Sequence, residues 1–219
     1  VYDAGERGSE VYLLREMVKG IPLDLIFFHL VNLTPGAILT IAWKIGTALR
    51  EGHRMGITHG NLRPSNVILC PDGEVKVTDF ALPPPPQVGE ETGGPLAELT
   101  AYLSPEQLVG GALVDERTDL FSLGVILYNL VALDRPFWGK SSSQVRNRIL
   151  TAPPKPFEEG VECDPKLHLI IWKCLQKNVE ERYQTVSSLE REVQASADPR
   201  PTPIGPRQFE SIAIRCGLE

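Results

Sequence analysis

The sequence predicts an α+β fold in which helices dominate and the few strands are short. The chain opens with two short predicted strands around a turn at Glu6-Arg7-Gly8. A second hairpin is predicted where the apolar residues 66–69 (NVIL) and 74–80 (EVKVTDF) flank the turn residues CPDG. Most other apolar residues repeat at helical spacing, so a strand pair precedes a mainly helical unit that contains a small hairpin.

Several further segments carry the signals of helices. Residues 34–56 begin with Thr34 as N-cap and Pro35 at the first helical position. A shorter helix is predicted after the strand breakers Gly20 and Pro22. The buried face of the longer helix is predicted to hold Ile38, Ile41, Ala42, Ile45, Ala48 and Leu49. The later predicted helices have the sequences SPEQLVGG, DLFSLGVILYNLVAL, SSQVRNRIL, PKLHLIIWKCLQK and TVSSLEREVQAS.

Composition narrows the classes of function. The chain has 219 residues, 42% hydrophobic and 23% charged, which is typical of a globular protein with a sizeable core. The net charge of −6 argues against nucleic acid or an anionic membrane as the main partner. The four cysteines form no C-x-x-C pair, which favours free thiols and a cytoplasmic location. The longest apolar run, Leu120–Leu133, is too short to span a bilayer.

Five segments carry a resemblance to a known family. Residues 59–66 read HGNLRPSN, residues 79–81 read DFA and residues 104–106 read SPE, and they resemble the H-R-D-L-x-x-x-N, D-F-G and A-P-E motifs of protein kinases. Residues 117–137 and 174–185 resemble the central helix of that family and the segment before its last helix. Each match alone is weak, but five in the right order are a strong signal. The chain resembles the C-terminal lobe of a bacterial serine/threonine protein kinase.

The resemblance covers nearly the whole chain and implies a domain plan. Residues 1–195 are predicted to be a partial kinase domain, in which 1–18 form the end of the N-lobe and the hinge, and 19–195 form the C-lobe. Residues 196–219 are predicted to be a Pro-rich linker or tail. The sequence contains neither G-x-G-x-x-G nor V-A-I-K, so the expected sheet is a remnant β-hairpin of a truncated N-lobe. Its apolar strands imply more chain before them, a protein partner that covers them, or marginal solubility.

The family's cofactor is Mg-ATP, and the resemblance assigns residues to it. Asn66 and Asp79 match the family's Mg²⁺ ligands, although Asn and Asp are also common in loops for purely structural reasons. Glu16, Val18 and Ile68 match positions around the adenine. The substitutions described next predict that Mg-ATP binding is weakened or lost.

The catalytic loop departs from the family pattern at its chemical positions. Asn61 replaces the catalytic Asp, and an amide does not accept a proton at neutral pH. In the alternative interpretation, Asn61 only positions a hydroxyl and transfer continues slowly, because the transition state is loose. Arg63 replaces the lysine that contacts the transferred phosphate, which keeps the charge but changes its shape. Gly60 replaces the arginine that receives a phosphorylated activation segment, so activation by phosphate on Thr92 or Thr100 is expected to be lost.

Other departures lie on either side of this loop. Ala81 replaces the glycine whose permissive backbone lets the DFG motif flip. Four prolines at 83–86 predict a loop without a ladder strand, or a ligand for a proline-binding module. Arg15 matches the family position at the back of the adenine pocket, where a charge needs a partner or solvent.

The structural positions of the family are retained in this sequence. Glu106 and Arg182 match the pair that ties the activation segment to the lower helices, and Asp119 matches the acid that holds the backbone of the catalytic loop. His59 and Phe80 match stacked core positions.

These residues leave three hypotheses for function. The first is a catalytically impaired pseudokinase that acts as a regulatory or scaffolding module for a protein partner. The second is an ATP-dependent serine/threonine kinase belonging to a longer protein, in which Asn61 is a weak substitute for the base. The third is a truncated product without function. Neither the oligomeric state nor the identity of a partner follows from the sequence.

Overall fold

The computed structural model describes residues 2–8, 10–82, 99–110, 114–196 and 204–218. The chain begins with an antiparallel pair of strands, β1 (Asp3–Arg7) and β2 (Glu10–Leu14). The predicted strand pair is therefore confirmed. Much of its apolar surface is exposed, including the side chains of Tyr2, Leu13 and Leu14. This hairpin contributes little to the core of the described chain.

A three-stranded antiparallel sheet supports the polar loops. It contains β3 (Ile21–Pro22), β4 (Val67–Leu69) and β5 (Val75–Val77) in that order. The predicted β4–β5 hairpin is confirmed, and Gly73 turns it with a positive φ of 79°. Pro22 was expected only to break a strand, but it belongs to β3 at the edge of the sheet, where a residue without an N–H is tolerated.

The N-terminal helices follow the predicted start signals. Helix α1 (Leu23–Phe28) follows β3 directly, and α2 (Pro35–Arg54) is the longest helix described. The Thr34 hydroxyl accepts a hydrogen bond from the Ala37 N–H at 3.2 Å, which caps α2 as predicted. The buried face of α2 matches the prediction except at Ala48, which is half-buried.

The central helix α4 (Arg117–Ala132) forms the middle of the core. Every residue from Thr118 to Leu130 is buried, so the helix is apolar on nearly all sides. It packs against α2 and α6. The predicted helices around it are all present: α3 (Pro105–Leu108), α5 (Ser142–Thr151), α6 (Pro165–Cys174) and α7 (Val186–Ser196).

The tail contains a helix that the sequence did not predict. Helix α8 (Pro206–Arg215) lies where a Pro-rich linker or tail was expected. Ile204, Ile212 and Cys216 are buried there and join the hydrophobic core. The Ile204 carbonyl lies so close to Gly73 that a Cβ on this glycine would be 2.4 Å from the oxygen. The tail thus packs against the turn of the β4–β5 hairpin at Ile204, just before α8.

Two expectations from composition can be compared with the structure. All four cysteines are free, and Cys70, Cys174 and Cys216 are buried. Within the described part of the chain, no helix has both the length and the apolar character needed to cross a bilayer.

Candidate active site

The loop at residues 58–66 is held by one buried carboxylate. Asp119, in the first turn of α4, accepts hydrogen bonds from the backbone N–H groups of His59 and Gly60, both at 2.8 Å. Its side chain is fully buried and also lies 2.7 Å from His53 Nε2. The predicted role of Asp119 is confirmed. His53 was not identified from the sequence, because a histidine in the last turn of a helix has no local pattern that marks a distant partner.

Gly60 has a backbone role that the missing arginine does not reveal. Its φ of 70° lies in the left-handed region, where glycine carries no steric penalty. Its carbonyl accepts a hydrogen bond from Gln107 Nε2 at 2.6 Å. Compared with the arginine of the family, Gly60 therefore lacks the cation and avoids steric strain in the left-handed backbone of this turn.

His59 and Phe80 pack together beneath the loop, as predicted. Their ring centroids are 4.6 Å apart. Burial lowers the pKa of His59, although the nearby carboxylate of Asp119 opposes that shift. The ring is accordingly a neutral core group at physiological pH.

Asn61 lies in a loop whose shape is fixed by Asn66. The amide nitrogen of Asn66 donates to the Asn61 carbonyl at 3.0 Å, and Asn66 itself is buried. The backbone N–H of Asn61 contacts His59 Nδ1 at 3.4 Å. Among the described residues, the side-chain amide of Asn61 has no hydrogen-bond partner, so it is free to contact a ligand.

Thr78, the residue before Asp79, ties this segment to Asn66. Thr78 donates its N–H to the Asn66 carbonyl at 2.9 Å, directly after β5. Asp79 has a positive φ of 66°, and its Oδ1 lies 2.5 Å from Arg15 Nη1. The charge predicted at Arg15 thus has a partner 64 residues away.

The residues after Asp79 are only partly described. Ala81 has a φ of 58°, so the position that the family gives to glycine holds an alanine in a left-handed backbone. The predicted loop of prolines at 83–86, and Thr92, lie outside the described residues. Thr100 is 1% exposed, so phosphorylation there would require the segment to open.

One cavity of about 500 Å³ brings together part of the predicted nucleotide site. Glu16, Val18 and Asp79 line it together with Arg15, whereas Ile68 lies outside it. Glu16 accepts from Lys76 Nζ at 2.6 Å, and this bond raises the pKa of Lys76.

Arg63 lies in a separate groove of about 630 Å³ between α1 and the catalytic loop. Its Nε is buried and has no hydrogen-bond partner among the described residues. The exposed side chains of Phe28 and Leu30 line the same groove. The structure therefore separates Arg63 from the Asp79 cavity.

The predicted ion pair between Glu106 and Arg182 is present in the structure. Arg182 donates from Nη1 and Nη2 to the two carboxylate oxygens of Glu106, at 2.7 and 2.8 Å. Both residues are buried, and Arg182 Nε also donates to the Gln176 carbonyl at 2.7 Å. Burial tends to raise the pKa of Glu106, but the bonds and charge of Arg182 prevail and hold it below its ordinary value.

This geometry is accompanied by a match to a known family. The protein kinase domain is matched by residues 1–193 of the chain. The chain belongs to the protein kinase family.

Bacterial serine/threonine kinases are among the curated proteins similar to this chain. The probable serine/threonine-protein kinase SCO3848 of Streptomyces coelicolor is 33% identical over 212 residues, covering 92% of this chain and 31% of that protein. The serine/threonine-protein kinase PknB of Mycolicibacterium smegmatis is 32% identical, with coverage of 86% and 31%. For PknL of Mycobacterium tuberculosis the values are 31%, 74% and 44%. The chain thus spans less than half the length of each of these relatives.

Members of the kinase family use Mg-ATP, and the donor atoms of this site are of the right type for it. Mg²⁺ prefers oxygen ligands and is commonly held by one or two side chains together with substrate phosphates. Asp79 offers a carboxylate and Asn66 an amide oxygen in the described kinase loop. These two residues would hold the metal, which neutralises charge on the phosphates when bound. Arg15 already contacts one of these oxygens, which limits how well the site fits the metal.

Proposed function

We propose that this kinase domain is catalytically impaired and serves as a regulatory or scaffolding module for a protein partner. The observation that carries the proposal is the amide of Asn61 at the position of the general base. Asn66 and Asp119 hold the loop in place, so the frame is intact while the proton acceptor is missing. Loss of a general base typically lowers a rate by about 10²–10⁴.

Other features of the site support the same proposal. Arg15 neutralises Asp79, and Ala81 replaces the glycine expected after it. Gly60 offers no cation to a phosphorylated segment. By contrast, the buried pair of Glu106 and Arg182 is retained. A module that binds partners needs this scaffold and does not need the chemistry.

A phosphotransfer assay tests this proposal directly. The chain is incubated with Mg²⁺, ATP and a generic protein substrate, and Asp79→Ala serves as the control. We expect the unmodified chain and Asp79→Ala to give the same background signal. Robust turnover that Asp79→Ala abolishes would overturn the proposal.

A second function has one observation in its favour. Asn66 and Asp79 both keep oxygen-bearing side chains, and Thr78, next to Asp79, donates its N–H to the Asn66 carbonyl, in keeping with an ATP-dependent serine/threonine kinase within a longer protein. In that case Asn61 is a weak substitute for the base, and Asn61→Asp in the longer protein should raise turnover on the order of 10²-fold or more. Asn61→Ser, of comparable polarity but without a carboxylate, is the matched control. No gain from Asn61→Asp rejects this alternative.

A further inference from the structure

The contact between Arg15 and Asp79 joins two parts of the chain that the sequence does not link. Arg15 directly follows β2, and Asp79 follows β5 by two residues. Arg15 Nη1 lies 2.5 Å from Asp79 Oδ1, with the two side chains 46% and 20% exposed. Both residues line the cavity of about 500 Å³ that also contains Glu16 and Val18.

Both oxygens of the Asp79 carboxylate already have donors. Oδ1 receives the guanidinium of Arg15, and Oδ2 receives the hydroxyl of Thr78 at 3.3 Å. Lys76 is the other cation that lines this cavity among the described residues, and it is paired with Glu16 at 2.6 Å. The positive charge at Asp79 is therefore supplied by Arg15.

A divalent metal at this carboxylate would need the same lone pairs. Mg²⁺ and Mn²⁺ take carboxylate oxygens as ligands, and a guanidinium N–H binds to those same oxygens. A cation beside a carboxylate also repels a second cation. We propose that Arg15 is a built-in cation at the metal position of Asp79, so a divalent metal binds only when the guanidinium is displaced.

The proposal differs from a purely structural role for this pair. Ion pairs as exposed as this one contribute little to stability, so removing Arg15 should leave the folded state nearly as stable. Its effect should instead be on the affinity for the metal. The proposal concerns metal binding alone, so it holds whether or not the domain transfers phosphate, and turnover in the assay above would leave it intact.

Direct binding of Mn²⁺ to the whole chain, without nucleotide, tests the proposal. Free Mn²⁺ is measured by electron paramagnetic resonance during titration of the unmodified chain, Arg15→Met and Arg15→Gln. We expect both variants to bind Mn²⁺ on the order of tenfold more tightly, which is the size of effect that one adjacent charge has on the proton affinity of a carboxylate. Lys76→Met, which removes a cation from the same wall but not from Asp79, should stay within about twofold of the unmodified chain.

A second variant locates the metal. Adding Asp79→Asn to Arg15→Gln should abolish the gain in affinity, because the amide is a weaker ligand than the carboxylate. Thermal melts of each variant establish that it is folded, and Arg15→Gln provides a shorter, polar and uncharged side chain if Arg15→Met is unstable. Equal Mn²⁺ affinity in the unmodified chain and in a folded Arg15 variant would overturn the proposal. So would a gain that persists with Asp79→Asn.

Discussion

Two ion pairs of this kinase domain, Arg182–Glu106 and Arg15–Asp79, differ in burial and in the number of their hydrogen bonds. Arg182 and Glu106 are almost completely buried, and the guanidinium of Arg182 makes five hydrogen bonds to described residues. At the Asp79 cavity, Arg15 and Asp79 form a single short contact, and both line the cavity. An arginine–carboxylate pair is therefore buried in the scaffold at one position and partly exposed to solvent at the other.

The difference indicates where the sequence is free to change. A buried charge that loses its partner is strongly destabilising, so neither Arg182 nor Glu106 can be replaced alone without a large loss. A partly exposed pair has water as an alternative partner, so residues around the Asp79 cavity can change without unfolding the domain. This contrast fits the retained Glu106–Arg182 pair and the substitutions at the chemical positions of the catalytic loop.

The largest expected effect comes from breaking the buried pair. Arg182→Met removes the two guanidinium donors of the Glu106 carboxylate, which keeps only the Thr118 hydroxyl, and the Arg182 donors of the Gln176 and Lys177 carbonyls. We therefore expect the free energy of unfolding to fall by about 3–5 kcal/mol. Urea denaturation measures this change. Lys155→Met is the matched control, because Lys155 and Asp134 are each 44% exposed, and it should lower stability by less than about 1 kcal/mol. Equal effects of the two variants would contradict the contrast.

The next largest effect concerns the hydrogen bonds by which Asp119 holds the catalytic loop. Asp119→Asn keeps the shape of the side chain but turns one acceptor into a donor, which then faces the N–H group of either His59 or Gly60. We expect a loss of about 2–3 kcal/mol, since buried donors are left unsatisfied. Native-state hydrogen exchange should accelerate at residues 59 and 60.

A carboxylate just beyond the C-terminal end of the same helix provides the control. Asp134 is 44% exposed, and Asp134→Asn should change stability by less than about 1 kcal/mol and leave exchange at Gly60 unaltered. If exchange at Gly60 is also unaltered in Asp119→Asn, the loop is held by other contacts.

The buried scaffold residues could be predicted from the sequence because they belong to motifs that occur in the order expected for the family. Glu106, Asp119 and Arg182 occur in segments whose order identified them, and the structure joins them as expected. The helix start at Thr34 was likewise local, since a cap requires only residues three apart.

The contacts that were not predicted join distant segments. The sequence indicated that Arg15 needed a partner, but that partner is 64 residues away, across the β2 and β5 segments. His53 joins Asp119 across two helices for the same reason. Helix α8 was not expected because prolines dominate the tail, yet its stability comes from burying Ile204 and Ile212 against the rest of the core.

The smallest expected effect concerns backbone strain at the end of the site that contains Asp79. Ala81 has a φ of 58°, where an L-residue with a Cβ loses roughly 1–2 kcal/mol relative to its preferred backbone. Ala81→Gly removes this strain but increases the entropy of the unfolded chain, so we expect a net gain of about 0.5–1 kcal/mol in the free energy of unfolding.

Ala132→Gly, at the end of α4, is the control of opposite sign. There the backbone is helical, and the same substitution should lower stability by about 1 kcal/mol. Chemical denaturation of both variants measures the pair of effects. A loss in Ala81→Gly equal to that in Ala132→Gly would mean that the segment after Asp79 is not held in a left-handed conformation. A gain means that this end of the site keeps a strained backbone even though the glycine that would relieve it is gone.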